Sequence, residues 1–253
     1  MNPAYGPLHE LYERFCSGVA YLEVEKPDGE RGIGTAFHAR DGVWVTAAHV
    51  VRGNRVLQIA TTEDSTENGL TVSHYHGRGE VIEGPVCHPD PQVDVAVMRV
   101  DGIDAPQIPI GQINPIEFPI LTQVLVLGYP PIPTSREPFL VAATAEVNAV
   151  VEPYTGGGLH VILSSMARGG FSGGVAITPG DFYGDVGTLG VITRALVRDR
   201  LPAELGYLAV LPIDVIYDCH GLFESKLDWF LSPNRQRLGE ALVRGIKPPA
   251  AEI

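Results

Sequence analysis

The sequence predicts an all-β fold laid out in two successive halves of similar length, with short helical segments at either end. Three observations carry that expectation. Short apolar or alternating runs recur along the chain with turn-forming residues between them. Glycine and proline are both plentiful, 29 and 21 of 253 residues, as many short strands joined by turns require. A proline-bearing stretch from Asp101 to Leu121, DGIDAPQIPIGQINPIEFPIL, separates the two sets of runs and reads as an extended connection rather than sheet interior.

Taken in order, Leu8, Leu11, Tyr12 and Phe15 have the spacing of one face of a short amphipathic helix over 8–15. VAYLEVE and GIGTAFHA flank the turn KPDGE, and Asp41–Gly42 leads into VWVTAA. RVLQIATT follows, then a polar excursion EDSTENG, then VDVAVMRV. The second half offers TQVLVLGYP, FLVAATAEVNAVV, LHVILSSM, SGGVAITP, GTLGVITRAL and GYLAVLP. After Pro212 the pattern turns helical in IDVIYDCHGLF. Ser232–Pro233 then has the form of an N-cap and first helical position ahead of Leu238, Ala241, Leu242 and Ile246. The expected organisation is a helical segment over 1–16, a first β lobe with its linker over 17–120, a second over 121–217 and a helical extension over 218–253.

Composition narrows the function classes. Hydrophobic residues at 45% and charged residues at 19% are those of a globular chain. A net charge of −12 argues against a phosphate-backbone binder, so no nucleic-acid partner is expected. No stretch has the length of a membrane-spanning helix, so no membrane partner is expected either. MNPAYGPLHELYERFC lacks the basic start and apolar run of a secretory signal. Cys16, Cys87 and Cys219 are scattered and odd in number, which points to reduced thiols. Both observations lead to an expected cytoplasmic location.

One stretch concentrates chemical potential. ARGGFSGGVAI, Ala167 to Ile177, places four glycines around Ser172. Glycine in such number marks tight turning or close approach of backbone to something else. It reads either as a plain glycine-rich loop or as a nucleophile presented on a turn. Serine needs an adjacent base, usually an imidazole held by a third group. Of eight histidines, His49 stands out, because it ends the buried run VWVTAA and opens HVV among small residues. For the third group Asp94 is the candidate, since an acid entering the apolar run QVDVAVMRV needs a partner if buried. Asp94 is equally readable as a turn cap at a strand start. His74-Tyr75-His76 with His88 has some look of a metal site, but His-x-His in a polar loop is ordinarily solvated, and no metal or cofactor is expected. YTGGGLH, Tyr154 to His160, reads as a hairpin turn, lacking the lysine of a phosphate cradle.

TAAHVV, then DVAVMRV, then GGFSGGV resemble the His, Asp and Ser motifs of chymotrypsin-like (trypsin-fold) serine peptidases, in the chain order of that fold. GIGTAFHARDGVWVTAAHVV is similar to the approach to the family histidine in bacterial members. GTLGVITRAL with GYLAVLPIDVI is similar to the closing strands of Deg/HtrA-type peptidases. The resemblance covers about residues 17–217. It implies two six-stranded antiparallel β-barrels, with His49 and Asp94 on the first, Ser172 on the second and the active site between them. It further implies Ser172 as nucleophile, His49 as general base, Asp94 as its orienting partner, and the Gly170 and Ser172 amides as oxyanion hole. Activity should then rise with pH as the imidazole at position 49 loses its proton.

Counting along the family pattern puts Met166 at the base of the primary specificity pocket and Ile192 and Thr193 along its wall, with Leu208 and Val210 nearby. That implies an apolar residue before the scissile bond, while Arg168 and Arg194 read either as solvated loop charge or as a competing preference for an acid. The pattern also departs from the family. Secreted trypsin-like enzymes carry an aspartate immediately before the serine, where this chain has Phe171. That departure leaves open whether the oxyanion turn stands formed or is organised by an activating protein partner, and it keeps a non-cutting binding module as the alternative. No PDZ-like segment follows the second half. The leading expectation is a bacterial serine endopeptidase acting on a restricted set of protein or peptide substrates.

Overall fold

The computed structural model describes residues 6–67, 70–110, 119–133, 135, 138–154, 156–165, 170–180, 186–197 and 204–219. The chain divides into two compact units, Met1–Leu222 and Phe223–Ile253. The helix expected around Ser232–Pro233 lies outside the described residues, as do Met166 and Arg168.

After an N-terminal helix, α1 (Pro7–Phe15), twelve strands form two closed antiparallel barrels. The first contains β1 (Val19–Glu25), β2 (Arg31–Arg40), β3 (Val43–Thr46), β4 (Arg55–Glu67), β5 (Leu70–Cys87) and β6 (Ala96–Asp101) in the order β1-β2-β3-β6-β5-β4, closed by β1 against β4. The second contains β7 (Gln123–Gly128), β8 (Val141–Val151), β9 (His160–Ser164), β10 (Val175–Thr178), β11 (Gly187–Val197) and β12 (Glu204–Pro212) in the order β10-β11-β12-β9-β8-β7, closed by β7 against β10. Closure removes sheet edges, which is how antiparallel architectures of this size avoid presenting unpaired backbone. The double barrel expected from the sequence is the fold.

Local chemistry explains the strand ends. Asp41 and Gly42 both adopt positive φ, 47° and 74°, as a two-residue connection between β2 and β3 demands. Each barrel then buries its own inward side chains. Leu22, Val24, Ala36, Trp44, Ile59 and Met98 fill the first, and Val126, Val147, Leu163, Phe171, Leu189 and Val210 fill the second.

The polar excursion after RVLQIATT is not a loop. β4 runs on to Glu67, and β5 returns from Leu70 in register with it, Thr66 opposite Thr71 and Glu63 opposite His74. Strand identity there comes from ladder hydrogen bonds, because a hairpin with polar residues on both faces has no period-2 apolar signature. His74 and His76 therefore lie on a strand. His76 pairs with Glu63 at 3.0 Å, while His88 sits beyond the far end of β5, 3.7 Å from Asp218. The segment after Pro212 forms a 3-10 helix, Ile213–Asp218.

Candidate active site

Thr46 ends β3, and the chain turns at Ala47 into a single helical turn, α2 (Ala48–Val51), stapled by Val50 N–H to Ala47 O and Arg52 N–H to Ala48 O. Ala47, Ala48, Val50 and Val51 are buried, which leaves His49 as the one exposed side chain of the turn. Facing it is Asp94, in the extended segment just before β6, pinned between buried Val93 and Val95. The two engage twice. His49 Nδ1 lies 2.7 Å from Asp94 Oδ2, and the His49 amide donates to Asp94 Oδ1 at 2.8 Å.

This bidentate seat fixes the ring and its protonation. A carboxylate only accepts, so the shared proton sits on Nδ1 and the lone pair of Nε2 is left for other use. Burial raises the Asp94 carboxyl pKa, but it is outweighed. The hydrogen bond and charge of the His49 ring, the His49 amide and the charge of Arg194 together hold it below the usual value. Asp94 is thus ionised through the neutral range. With His49 at 51% side-chain exposure and Asp94 at 19%, the acid is sheltered and the base is open to the cleft.

Ser172 lies on the tight turn ahead of β10. Gly174 N–H donates to Phe171 O and Gly173 N–H to Ile192 O, closing that turn against β11. Gly170 and Gly173 adopt φ of +92° and +86°, the left-handed region that side chains avoid. Space forbids side chains there as well. A Cβ on Gly170 would meet Tyr129 O at 2.5 Å, and one on Gly173 would run into Thr35 O, the Thr46 hydroxyl and Ala47 N. Gly173 is therefore the contact by which the serine turn of the second barrel lies against the His49 approach of the first.

The structure thus brings Ser172 beside the segment that carries His49, and it seats His49 on Asp94. The Ser172 hydroxyl itself faces Thr193 O at 3.4 Å rather than the imidazole. Among the described residues the Gly170 and Ser172 amides donate to no protein acceptor.

The residues expected around the specificity pocket are deeply packed. Ile192, Leu208 and Val210 all belong to the core of the second barrel. Thr193 is fully buried with its hydroxyl on Ala209 O, and only its carbonyl faces the serine. The cause is a bulge between Ile192 and Arg194 in the β11–β12 pairing, which breaks alternation and turns Arg194 outward. Phe171, taken from sequence as a possible obstacle to a formed turn, is 3% exposed and packs into the second barrel's core, where its ring anchors the turn.

Sequence reasoning passed over two features. Thr35 on β2 is fully buried, touches the serine turn twice, at Gly170 O and Ser172 O, and accepts from Tyr129 N–H. His160, 2% exposed at the start of β9, lies behind the site. Gly156, Gly157 and Gly158 all have positive φ, and a Cβ on either of the first two would strike Gln92, two residues before Asp94. The run of three glycines in YTGGGLH was the available signal. It marks where a hairpin of one barrel approaches the Asp94 loop of the other.

A trypsin-like peptidase domain model matches residues 34–182, more than half of the chain. The chain belongs to that family. Solved structures agree on the fold. The HtrA-type protease AlgW with tripeptide is 18% identical at a TM-score of 0.56, over 82% of this chain and 60% of that one. The active form of the Rv3671c protease from M. tuberculosis is 21% identical at 0.53, over 81% and 79%. Deg5 is 20% identical at 0.54, over 85% and 92%. The chain thus spans about 60% of the AlgW structure's length. Comparison with curated proteins gives no match. The two closed antiparallel barrels are the fold these structures share with the chain.

Proposed function

We propose that this trypsin-like peptidase hydrolyses peptide bonds in a restricted set of protein substrates through His49, Asp94 and Ser172. The observation that carries the reading is the double engagement of His49 by Asp94 at 2.7 and 2.8 Å, with the serine turn packed against Ala47 through Gly173.

The chemistry follows from the groups present. A rotation about χ1 of Ser172 moves its hydroxyl from Thr193 O toward His49 Nε2. As Oγ bonds to the scissile carbonyl carbon, Nε2 takes the hydroxyl proton, and Asp94 stabilises the resulting imidazolium. Negative charge develops on the carbonyl oxygen, within reach of the Gly170 and Ser172 amides. Such donors are worth ~3–4 kcal/mol each when aimed at the developing oxyanion. Collapse breaks the C–N bond, Nε2 returns the proton to the departing amine, and an acyl-enzyme remains on Ser172 Oγ. Water, deprotonated by the same nitrogen, then releases the acid.

Arg194 sets the proposed preference. It follows Thr193, whose carbonyl contacts the Ser172 hydroxyl, it is exposed, and it forms no ion pair among the described residues. An exposed guanidinium one residue from the carbonyl that contacts the Ser172 hydroxyl, its charge felt at Asp94, would favour an acidic side chain close to the scissile bond. A reducing compartment such as the cytoplasm suits the three free thiols Cys16, Cys87 and Cys219.

The test is a fluorophosphonate probe together with a proteome-derived peptide library, each applied to wild type and Ser172→Ala. Labelling and cleavage by wild type alone is the expected result. A wild type that neither labels nor cleaves, with or without candidate partners, would leave the fold as a binding module.

A further inference from the structure

We propose that Thr35 is a positioning residue, a latch on the first barrel whose side-chain hydroxyl holds the oxyanion turn of the second in its working conformation. The inference rests on Ser172 being the nucleophile and goes beyond the triad to what holds the turn.

The geometry is a relay with every proton assigned. Tyr129 N–H donates to Thr35 Oγ1 at 2.8 Å, and Thr35 Oγ1 lies 2.7 Å from Gly170 O. An amide only donates and a carbonyl only accepts, so the single hydroxyl proton of Thr35 is committed to Gly170. Thr35 N–H donates to Ser172 O at 2.9 Å, and Thr35 O accepts the Thr46 hydroxyl at 2.7 Å. One residue thereby grips the carbonyls on either side of Phe171 and ties them to the strand end that leads to His49.

The turn needs such a grip. Gly170 sits at φ +92°, in a region where glycine pays no steric cost and nothing in its own side chain fixes the backbone. Phe171 anchors the turn through its ring, and Gly174 N–H holds the Phe171 carbonyl, yet neither holds the Gly170–Phe171 plane. Fixing the Gly170 carbonyl fixes the Gly170–Phe171 plane, and the Ser172 carbonyl fixes the far end. The Gly170 and Ser172 amides lie in the adjoining peptide planes, each sharing a Cα with a gripped plane, so holding those planes narrows the aim of both amides before the reaction begins. Thr35 and Tyr129 are both buried, so no bulk water stands ready to replace the lost hydroxyl.

The experiment compares Thr35→Val, which keeps shape and the backbone bond to Ser172 but removes the hydroxyl, with Thr35→Ser, which restores it. Rates are taken per active site titrated with a fluorophosphonate. Thr35→Val should lower kcat by about a hundredfold, the scale of losing one oxyanion donor, with KM little changed and the pH profile unmoved, because His49 and Asp94 are untouched. Thr35→Ser should recover most of kcat. If Thr35→Val fails to accumulate folded, Thr35→Cys, which keeps volume with a weak donor, is measured in its place with the same expectation. Unchanged kcat in the variant lacking the hydroxyl, or no recovery in Thr35→Ser, overturns the latch alone. A wild type silent to both peptides and probe overturns the Ser172 reading and the latch with it.

Discussion

A Cβ at position 128 would lie 2.7 Å from Cδ1 of Phe171. The phenylalanine ring occupies the space above Gly128 at the end of β7, and there it joins Val126, Val147, Leu163 and Ile192. The residue before the serine is thus a core residue of the second barrel. Secreted relatives with an acid at this position need a new amine to pair it, whereas here burial of a ring does the anchoring. Phe171→Ala should destabilise the fold by ~3–5 kcal/mol. Phe171→Asp should cost at least as much, since a carboxylate in that core has no partner. Urea unfolding of both variants checks this; an Asp variant as stable as wild type would show that the turn draws nothing from the ring.

His160 gives the fold a pH dependence in mild acid. Its Nδ1–H donates to Gly158 O at 3.1 Å, and its Nε2 is buried without a partner among the described residues. Burial pushes its pKa below the ordinary 6.5. The charge of Arg194 acts the same way, and the Gly158 carbonyl and Asp94 oppose without prevailing. The sign follows from linkage. With the folded pKa depressed, the unfolded chain takes up the proton first, so stability is full above pH 6.5 and declines as pH falls below it. His160→Gln should flatten that decline, as read from urea midpoints at pH 7.5 and in steps down to 5. An equal slope in both proteins would remove His160 as its source.

The triad candidates were legible because each depends on a residue type in a local setting: a histidine closing a buried run, an acid entering an apolar one, a serine among glycines. What could not be read depends on contacts between distant positions. Thr35 and Gly170 are 135 residues apart, and nothing in GIGTAF says that its threonine will cap the serine turn. β5 was missed because the sequence signal is burial, and a polar hairpin gives none. The packing around Thr193 was not legible because counting along a strand assumes alternation, which the bulge between Ile192 and Arg194 breaks.

Gly173 and Gly29 separate two kinds of cost. Both have φ near +85°, so alanine at either is strained by ~1–2 kcal/mol. A Cβ on Gly29 meets nothing within 4 Å, whereas one on Gly173 collides with Thr35 O and the Thr46 hydroxyl, across the barrel seam. Gly29→Ala should lose only the conformational cost and keep full activity. Gly173→Ala should lose far more stability, and any folded fraction should label poorly with fluorophosphonate because the serine turn is pushed off its seat. Thermal melts and probe labelling of the pair decide it, and equal behaviour would mean that the seam tolerates displacement.

The proposed substrate preference rests on Arg194. Its position follows from the bulge that buries Thr193 and exposes its successor, and its charge already reaches Asp94 from that position. A substrate carboxylate meeting this guanidinium gains a charged hydrogen bond, worth ~1.5–3 kcal/mol, or about 10–100-fold in kcat/KM. Cut sites from wild type should therefore be enriched in Asp or Glu near the scissile bond. Arg194→Glu should remove that enrichment and favour Lys or Arg in its place. The wild-type preference should also shrink as salt rises, because the pair forms at a solvent-open wall. Should Arg194→Glu cut the same sites at the same relative rates, the guanidinium points to solvent in the complex, and discrimination belongs to other parts of the cleft.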